Sequence, residues 1–535
     1  MPFCMRSWFS RSAIFLLASA CAFMGVGSTA GAAAGPSIAF VPLDDRPVTL
    51  QLPIMLGAVA GQPLLVPPRP AIGHYLTPGD PAAILRWLRS PQTQGASSIV
   101  ASSDMLAYGG LVASRVPGVW ASDAAARLRD LAHLRLERPG TYITVFGTVM
   151  RLAPTGVPDI EQTRGYYARG ETVDLIQQYA NLPDPPETAE QRAFAARLRE
   201  RIGPPTLNAY LATRARNLSV DEEALQLTAE NGFDRVVLGQ DDAGPTGLHL
   251  REVNELQRRA AAYFLGDRAS IEPGADELGM VLLAQAFARN VNWMPAIRVA
   301  YSRPDAASFN DQLEFVPIDV TIGHIIRACG ARRVASGDDI RLYVRVPGTS
   351  DADERAFEDA LAADVTAGRS VAVADLTFLR GGPGPEQRAL TDVLIARGLA
   401  GKLDAFASWN TNANTVGTAL AAAIAAGAGR RAGRYDARAH AEFMLDRYID
   451  DYAFHQFVRP VLNTELRARG IDTTLLVPPV AQEAADRNRA LLWPFALDLL
   501  AAIYPNYRDA GLIVTLPWQR TFETQIDVRL AGRAP

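Results

Sequence analysis

Two aspartates in succession, Asp241-Asp242, follow the apolar run Arg235–Gly239 (RVVLG) and precede Ala243-Gly244. Adjacent carboxylates repel each other, which drives their pKa values apart. One site then offers an ionised group beside a protonated acid at neutral pH, the equipment of general acid/base catalysis. A helix cap or turn needs one carboxylate, so capping explains Asp104 or Asp276 better than it explains the doublet. Other polar residues also follow apolar runs: Asp44-Asp45-Arg46, Asp104 with Arg115, Arg151, Asp276-Glu277, and Trp409-Asn410 with Asn414. Asp44, Asp45 and Arg46 read either as a buried ion network or as forked partners for sugar hydroxyls or a substrate carboxylate. Trp409 is a core side chain or, beside amides, a sugar platform. Tyr166-Tyr167, in a polar loop, reads as cover over the barrel mouth rather than a platform for a ring, and His249 as a helix-surface residue.

Several chemistries lack their residues. No G-x-S-x-G elbow surrounds Ser102-Ser103. The six His residues form no H-x-x-x-H or H-x-H and there is no C-x-x-C, which removes the usual zinc patterns. Neither glycine-rich phosphate motif follows a strand, so no nucleotide cofactor is expected. Strand-end acids holding Mg²⁺ or Ca²⁺ are the main competing chemistry.

These residues need a scaffold that collects strand ends. Ser37–Leu43, Leu64–Val66, Ser98–Ser102, Tyr142–Val149 and Arg235–Gly239 read as buried parallel strands, short and not strictly alternating. Ala296–Tyr301, Leu342–Val346, Ser370–Ala374 and Ala405–Trp409 continue the series. Between them lie helical patterns. Asp80 caps a segment starting at Pro81. Leu128, Leu131 and Leu134 make a stripe, and Ser219 with Glu222 forms a capping-box pattern. This alternation of strand and helix gives the class α/β, in which ligands bind at the carboxyl ends of the strands. The expected architecture is a parallel-strand, barrel-like (TIM-type) main domain over residues 36–300. A second α/β domain follows over 301–430, then a helical and irregular C-terminal region over 431–535. Two sheets are the alternative to one elaborated barrel.

The 535 residues carry 53 Lys and Arg against 57 Asp and Glu, a net charge of −4. No basic excess exists to neutralise phosphates, so nucleic acid is not an expected partner. Arg6 and Arg11, the apolar run Ala13–Val26 and the small residues through Ala32 have the order of an export signal over residues 1–32. The run is too short for a transmembrane helix. Periplasmic or secreted location is expected, with a lipoprotein box at Cys21 the weaker alternative. Cys329 reads as a buried small hydrophobe.

Together, VPLDDRPV, SSDMLAYGGLVASR, GQDDAGPTG, GADE and SWNTNANTVGTAL resemble a bacterial family known only as a domain of unknown function, DUF4127. The motifs run from Val41 to Leu420, and the family brings no assigned reaction. Asp241-Asp242 is also similar, more weakly, to the hexosaminidase-type barrel glycosidases, though Gln240 and Ala243 differ from their flanks. That likeness implies that one Asp orients the substrate's acetamido group while its neighbour protonates the leaving oxygen, and that Trp409 and Asn410 contact sugar. The expected function is thus an exported glycoside hydrolase on a carbohydrate, with Asp241 and Asp242 catalytic and no cofactor. Asp44, Asp45, Arg46, Asp104, Arg115, Arg151, Asp276, Glu277, Trp409, Asn410 and Asn414 would hold the substrate. A divalent-metal hydrolase and a non-catalytic binding protein are the alternatives.

Overall fold

Parallel strands covered on both faces need no polar side, and this explains the unbroken apolar runs. The computed structural model describes residues 36–158, 163, 165–378 and 389–532; the expected leader and Cys21 lie outside the described residues. Six strands, β1 (Ile38–Val41), β2 (Leu64–Leu65), β3 (Ser98–Ser102), β4 (Tyr142–Val149), β5 (Arg235–Gln240) and β6 (Ala269–Pro273), form one sheet. Their order is β2-β1-β3-β4-β5-β6, all parallel. Ile38 and Phe40 enter one apolar cluster, whereas Ala39 and Val41 enter another on the opposite face.

A second parallel sheet contains β7 (Ala296–Tyr301), β8 (Arg332–Arg333), β9 (Ile340–Arg345), β10 (Val371–Asp375) and β11 (Ala405–Ala407). Its order, β8-β7-β9-β10-β11, repeats the doubly wound pattern of the first. The fold is therefore α/β with two large parallel sheets. The TIM-type closure expected above is not found among the described residues. In each sheet the chain winds outward in both directions from its first strand, leaving β2 and β6, or β8 and β11, at opposite edges. A barrel would require those edges to pair.

Helices Leu278–Arg289 and Asn412–Arg431 are almost wholly buried. Small residues allow their approach: a Cβ on Gly417 would lie 2.4 Å from Cγ of Glu277. One apolar cluster runs through Phe40 of β1, Leu283, Val344 of β9 and Phe406 of β11, so both sheets share it. All described residues belong to one unit, Ala34–Pro535.

Local signals were read with mixed success. Asp80 accepts a hydrogen bond from the backbone N–H of Ala83 (2.9 Å) and caps Pro81–Leu88. The capping-box reading of Ser219 and Glu222 is corrected: both lie inside one helix, Pro204–Ala229, whose start is set by Gly203 and Pro204. His249 is likewise not on a helix surface; it is buried, with its ring edge-on to Phe315 at 5.9 Å. Cys329 is buried and unpaired. After helix Ala437–Arg447, a π-helical stretch Tyr448–Val458 leads into helices Arg459–Ala468 and Val480–Ile503. The final segment, expected to be irregular, contains an antiparallel pair, β12 (Tyr507–Thr515) and β13 (Gln525–Gly532).

Candidate active site

A cavity of about 800 Å³ opens at the carboxyl ends of both sheets. The segments after β1, β4, β5, β6 and β11 contribute Arg46, Arg151, Asp241, Asp242, Asp276 and Asn410 to its lining. Arg115, Trp409 and Asn414 also line it. Asp44, Asp45, Asp104 and Glu277 do not; they stand behind the lining and fix it.

Arg46 joins the ends of β1 and β6. It donates to both oxygens of Asp44 (Nε 2.9 Å and 3.0 Å, Nη2 2.7 Å) and to both oxygens of Asp276 (2.9 Å and 2.6 Å). The ion-network reading of this trio therefore describes Asp44 and Arg46. Asp45 has a different task. It accepts a hydrogen bond from Nε1 of Trp518 (2.7 Å) and pairs with Nδ1 of His74 (2.8 Å), which raises the His74 pKa. Asp45 thus ties the C-terminal segment to the end of β1. Trp518 stacks on Tyr75 at 5.0 Å and lies under the guanidinium of Arg520 at 4.5 Å.

Asp104 braces the neighbouring strands, accepting from the backbone N–H (2.8 Å) and the hydroxyl (3.1 Å) of Thr148; burial pushes its pKa up to about 6. Glu277 is fully buried beneath the turn, where it accepts from the N–H of Ala275 (3.1 Å). Trp409 presents no open platform. Its ring is buried and its Nε1 donates to Thr418 (3.1 Å). Beside it, Asn410 is held at a positive φ of 52°, the kind of backbone conformation that concentrates at functional sites.

At the doublet the two carboxyls differ. Asp241 is buried and receives a hydrogen bond from Nη2 of Arg115. Asp242 retains 30% of its side-chain surface and lines the cavity. Burial first, and then the charge of Asp241, push its pKa up to about 6, against the pull of Arg151 and Arg115. Arg151 lies 3.9 Å away and is itself lowered to about 10, by burial and by Arg115.

Glu314 was not singled out from the sequence. Ala243 N–H donates to the carbonyl of Leu313 (3.2 Å), which brings the Glu314 loop over the doublet. Its carboxyl accepts from the N–H of Ala413 (2.9 Å), at the start of Asn412–Arg431. Burial raises it to about 8, with Asp311 and Asp242 adding to the effect. The C-terminal region supplies the other unforeseen lining: His455, Arg459, Asn463, Arg467, Arg520 and Phe522. Arg459, Asn463 and Arg467 recur every four residues, so they share one helix face. That spacing was the available signal. Behind β11, Asp451 accepts from the N–H of Ser408 (2.7 Å) and from Arg447 (2.8 Å), holding the start of the Trp409-Asn410 segment.

Among the described residues no group of three or more His, Cys, Asp or Glu side chains is arranged to hold a metal ion. No helix among them is long and apolar enough to cross a membrane. Comparison with curated proteins and with solved structures finds no match. One family profile does match, over residues 38–527, and it is described as a protein of unknown function, DUF4127. The match takes in every strand of both parallel sheets and all of the cavity lining, and the chain belongs to that family.

Proposed function

We propose that the protein is an exported glycoside hydrolase acting on a carbohydrate, one containing N-acetylhexosamine in the substrate-assisted form of the reaction. Asp242 is the general acid. Its proton passes to the glycosidic oxygen as the bond to the anomeric carbon breaks, and positive charge develops on the sugar ring. Asp241, held by Arg115, stands beside that charge and orients the substrate's acetamido group, which closes on the anomeric carbon. Water then displaces the acetamido oxygen from the anomeric carbon and gives a proton back to Asp242. No step calls on a metal.

The observation that carries this reading is the division of labour inside the doublet. One carboxyl is engaged by a guanidinium, while its neighbour faces the cavity with a pKa near 6. A carboxyl with a raised pKa beside a guanidinium-bound neighbour is a usual source of the acid role at such a site. The test is turnover of a panel of oligosaccharides by the native protein and by Asp242→Asn. We expect kcat to fall by about 10²–10⁴ with an unchanged circular dichroism spectrum. Native-like turnover by the variant removes the assignment. Activity abolished by chelator and restored by Mg²⁺ or Ca²⁺ would replace it with the metal-dependent reading.

A second reading has one observation in its favour: the cavity lies at the carboxyl ends of two doubly wound sheets, where two-lobed binding proteins clasp ligands. The apolar cluster shared by the sheets works against hinge closure. Stabilisation by a glycan with no turnover would favour this reading.

A further inference from the structure

The acid/base reading uses the doublet and leaves the guanidiniums of the cavity unexplained. Arg46 is committed to Asp44 and Asp276, Arg115 to Asp241, and Arg520 to Glu523. Arg459 and Arg467 differ, for neither forms an ion pair among the described residues. Both belong to the helix Arg459–Ala468, with Asn463 between them, and all three line the cavity. Nε of Arg459 is buried without a hydrogen-bond partner, and its Nη1 donates to Nδ1 of His455 at 3.3 Å. Burial together with the charges of Arg520 and Arg467 lowers the pKa of Arg459 despite the nearby Glu523 and Asp450. A partly buried cation in this state is unfavourable in the resting protein, and an arriving anion relieves it through charge-assisted hydrogen bonds.

The row also leads somewhere. A second groove of about 440 Å³ shares Arg459, Asn463, Arg467, Arg520 and Phe522 with the cavity and continues past Thr473 and Thr474. An elongated ligand extending from one into the other passes these guanidiniums. Phe522, 36% exposed, lies under Arg459 at 4.6 Å and Arg520 at 5.1 Å, and gives this passage an apolar ring.

We propose that Arg459, Asn463 and Arg467 form an anion subsite, and that the ligand is an acidic oligosaccharide. It would carry a carboxylate or sulfate on a sugar adjoining the one presented to Asp242. The sugar part of this inference rests on the glycosidase reading; the charge part rests on the arginine row alone.

The test is calorimetric titration of Asp242→Asn, which holds ligand without turning it over. The probes are an oligosaccharide alternating N-acetylglucosamine with glucuronate against its methyl ester, and a sulfated galactose–N-acetylglucosamine oligosaccharide against its desulfated form. We expect one acidic probe to bind at least about tenfold more tightly than its neutral partner, with the advantage shrinking as salt rises. Whichever pair shows the difference identifies carboxylate or sulfate. Adding Arg467→Ala or Arg459→Gln should abolish most of that difference without lowering the melting temperature. Equal binding within both pairs, no binding of either acid, or a preference that survives both substitutions overturns the subsite. Turnover by the native protein is read in parallel. Acid-selective binding without turnover of any probe defeats the glycosidase reading alone, whereas turnover of neutral probes without acid preference defeats the subsite alone.

Discussion

Asp242 owes its proton affinity to burial and to the fixed charge of Asp241, both acting against two arginines. The sign of its pH dependence follows. A general acid works only while protonated, so kcat should fall as pH rises through about 6, the value set by these neighbours. A pH–rate profile on any accepted substrate checks this, and a profile flat from pH 5 to 8 would contradict it. Glu314 gives a stability prediction of the same origin. Its folded pKa, about 8, lies above its ordinary 4.5, so the native state holds the proton more tightly than the unfolded chain does. That contribution is complete below about pH 4.5 and is lost as pH rises to about 8. Glu314→Gln keeps an acceptor for Ala413 and carries no charge. It should raise the urea midpoint at pH 8 and change it little at pH 5, a difference on the order of a few kcal/mol at most. The doublet was legible because its members are adjacent and follow an apolar run. Glu314 was not, since a lone acid in QLEFVP gives no sign that a backbone hydrogen bond from Ala243 will place it there.

Between β5 and β6 the chain is packed too closely for a side chain. A Cβ on Gly239 would stand 2.1 Å from the carbonyl oxygen of Gly274, and Gly274 itself has φ of +104°. Gly239→Ala must push the turn carrying Asp276 away from the strand that carries the doublet. We expect a loss of roughly 1–3 kcal/mol from overpacking, with a weaker grip of Asp276 on Arg46. Thermal denaturation and the binding titration described above check both parts. The long apolar strands could be read from sequence, and Ser98–Ser102, Tyr142–Val149 and Ala296–Tyr301 fall where their composition places them. β6 (ASIEP) and β8, two arginines, escaped because they lack an apolar run. In β13, Ile526, Val528 and Leu530 alternate with Asp527 and Arg529, the period of a half-buried strand, but the surrounding prolines and polar residues hid it.

Across the whole molecule, the two sheets share one apolar cluster, and Leu283 sits within it on an almost wholly buried helix. Calorimetry should show one unfolding transition. Leu283→Ala should lower the stability of both sheets together, by about 2–5 kcal/mol. Two separated transitions, only one of them shifted, would show that the sheets fold independently. The α/β class could be recognised from alternating strand and helix patterns, but sheet closure could not. Whether β2 and β6 meet is decided by strand order, which no local run of residues records. The cavity draws on Arg46 near one end of the described chain and on Trp518, Arg520 and Phe522 near the other. A polypeptide still being synthesised thus holds its acid doublet before Trp518, Arg520 and Phe522 have joined the pocket. Whatever this pocket does, it begins late: the nascent chain stays inert until its tail has folded back onto its head.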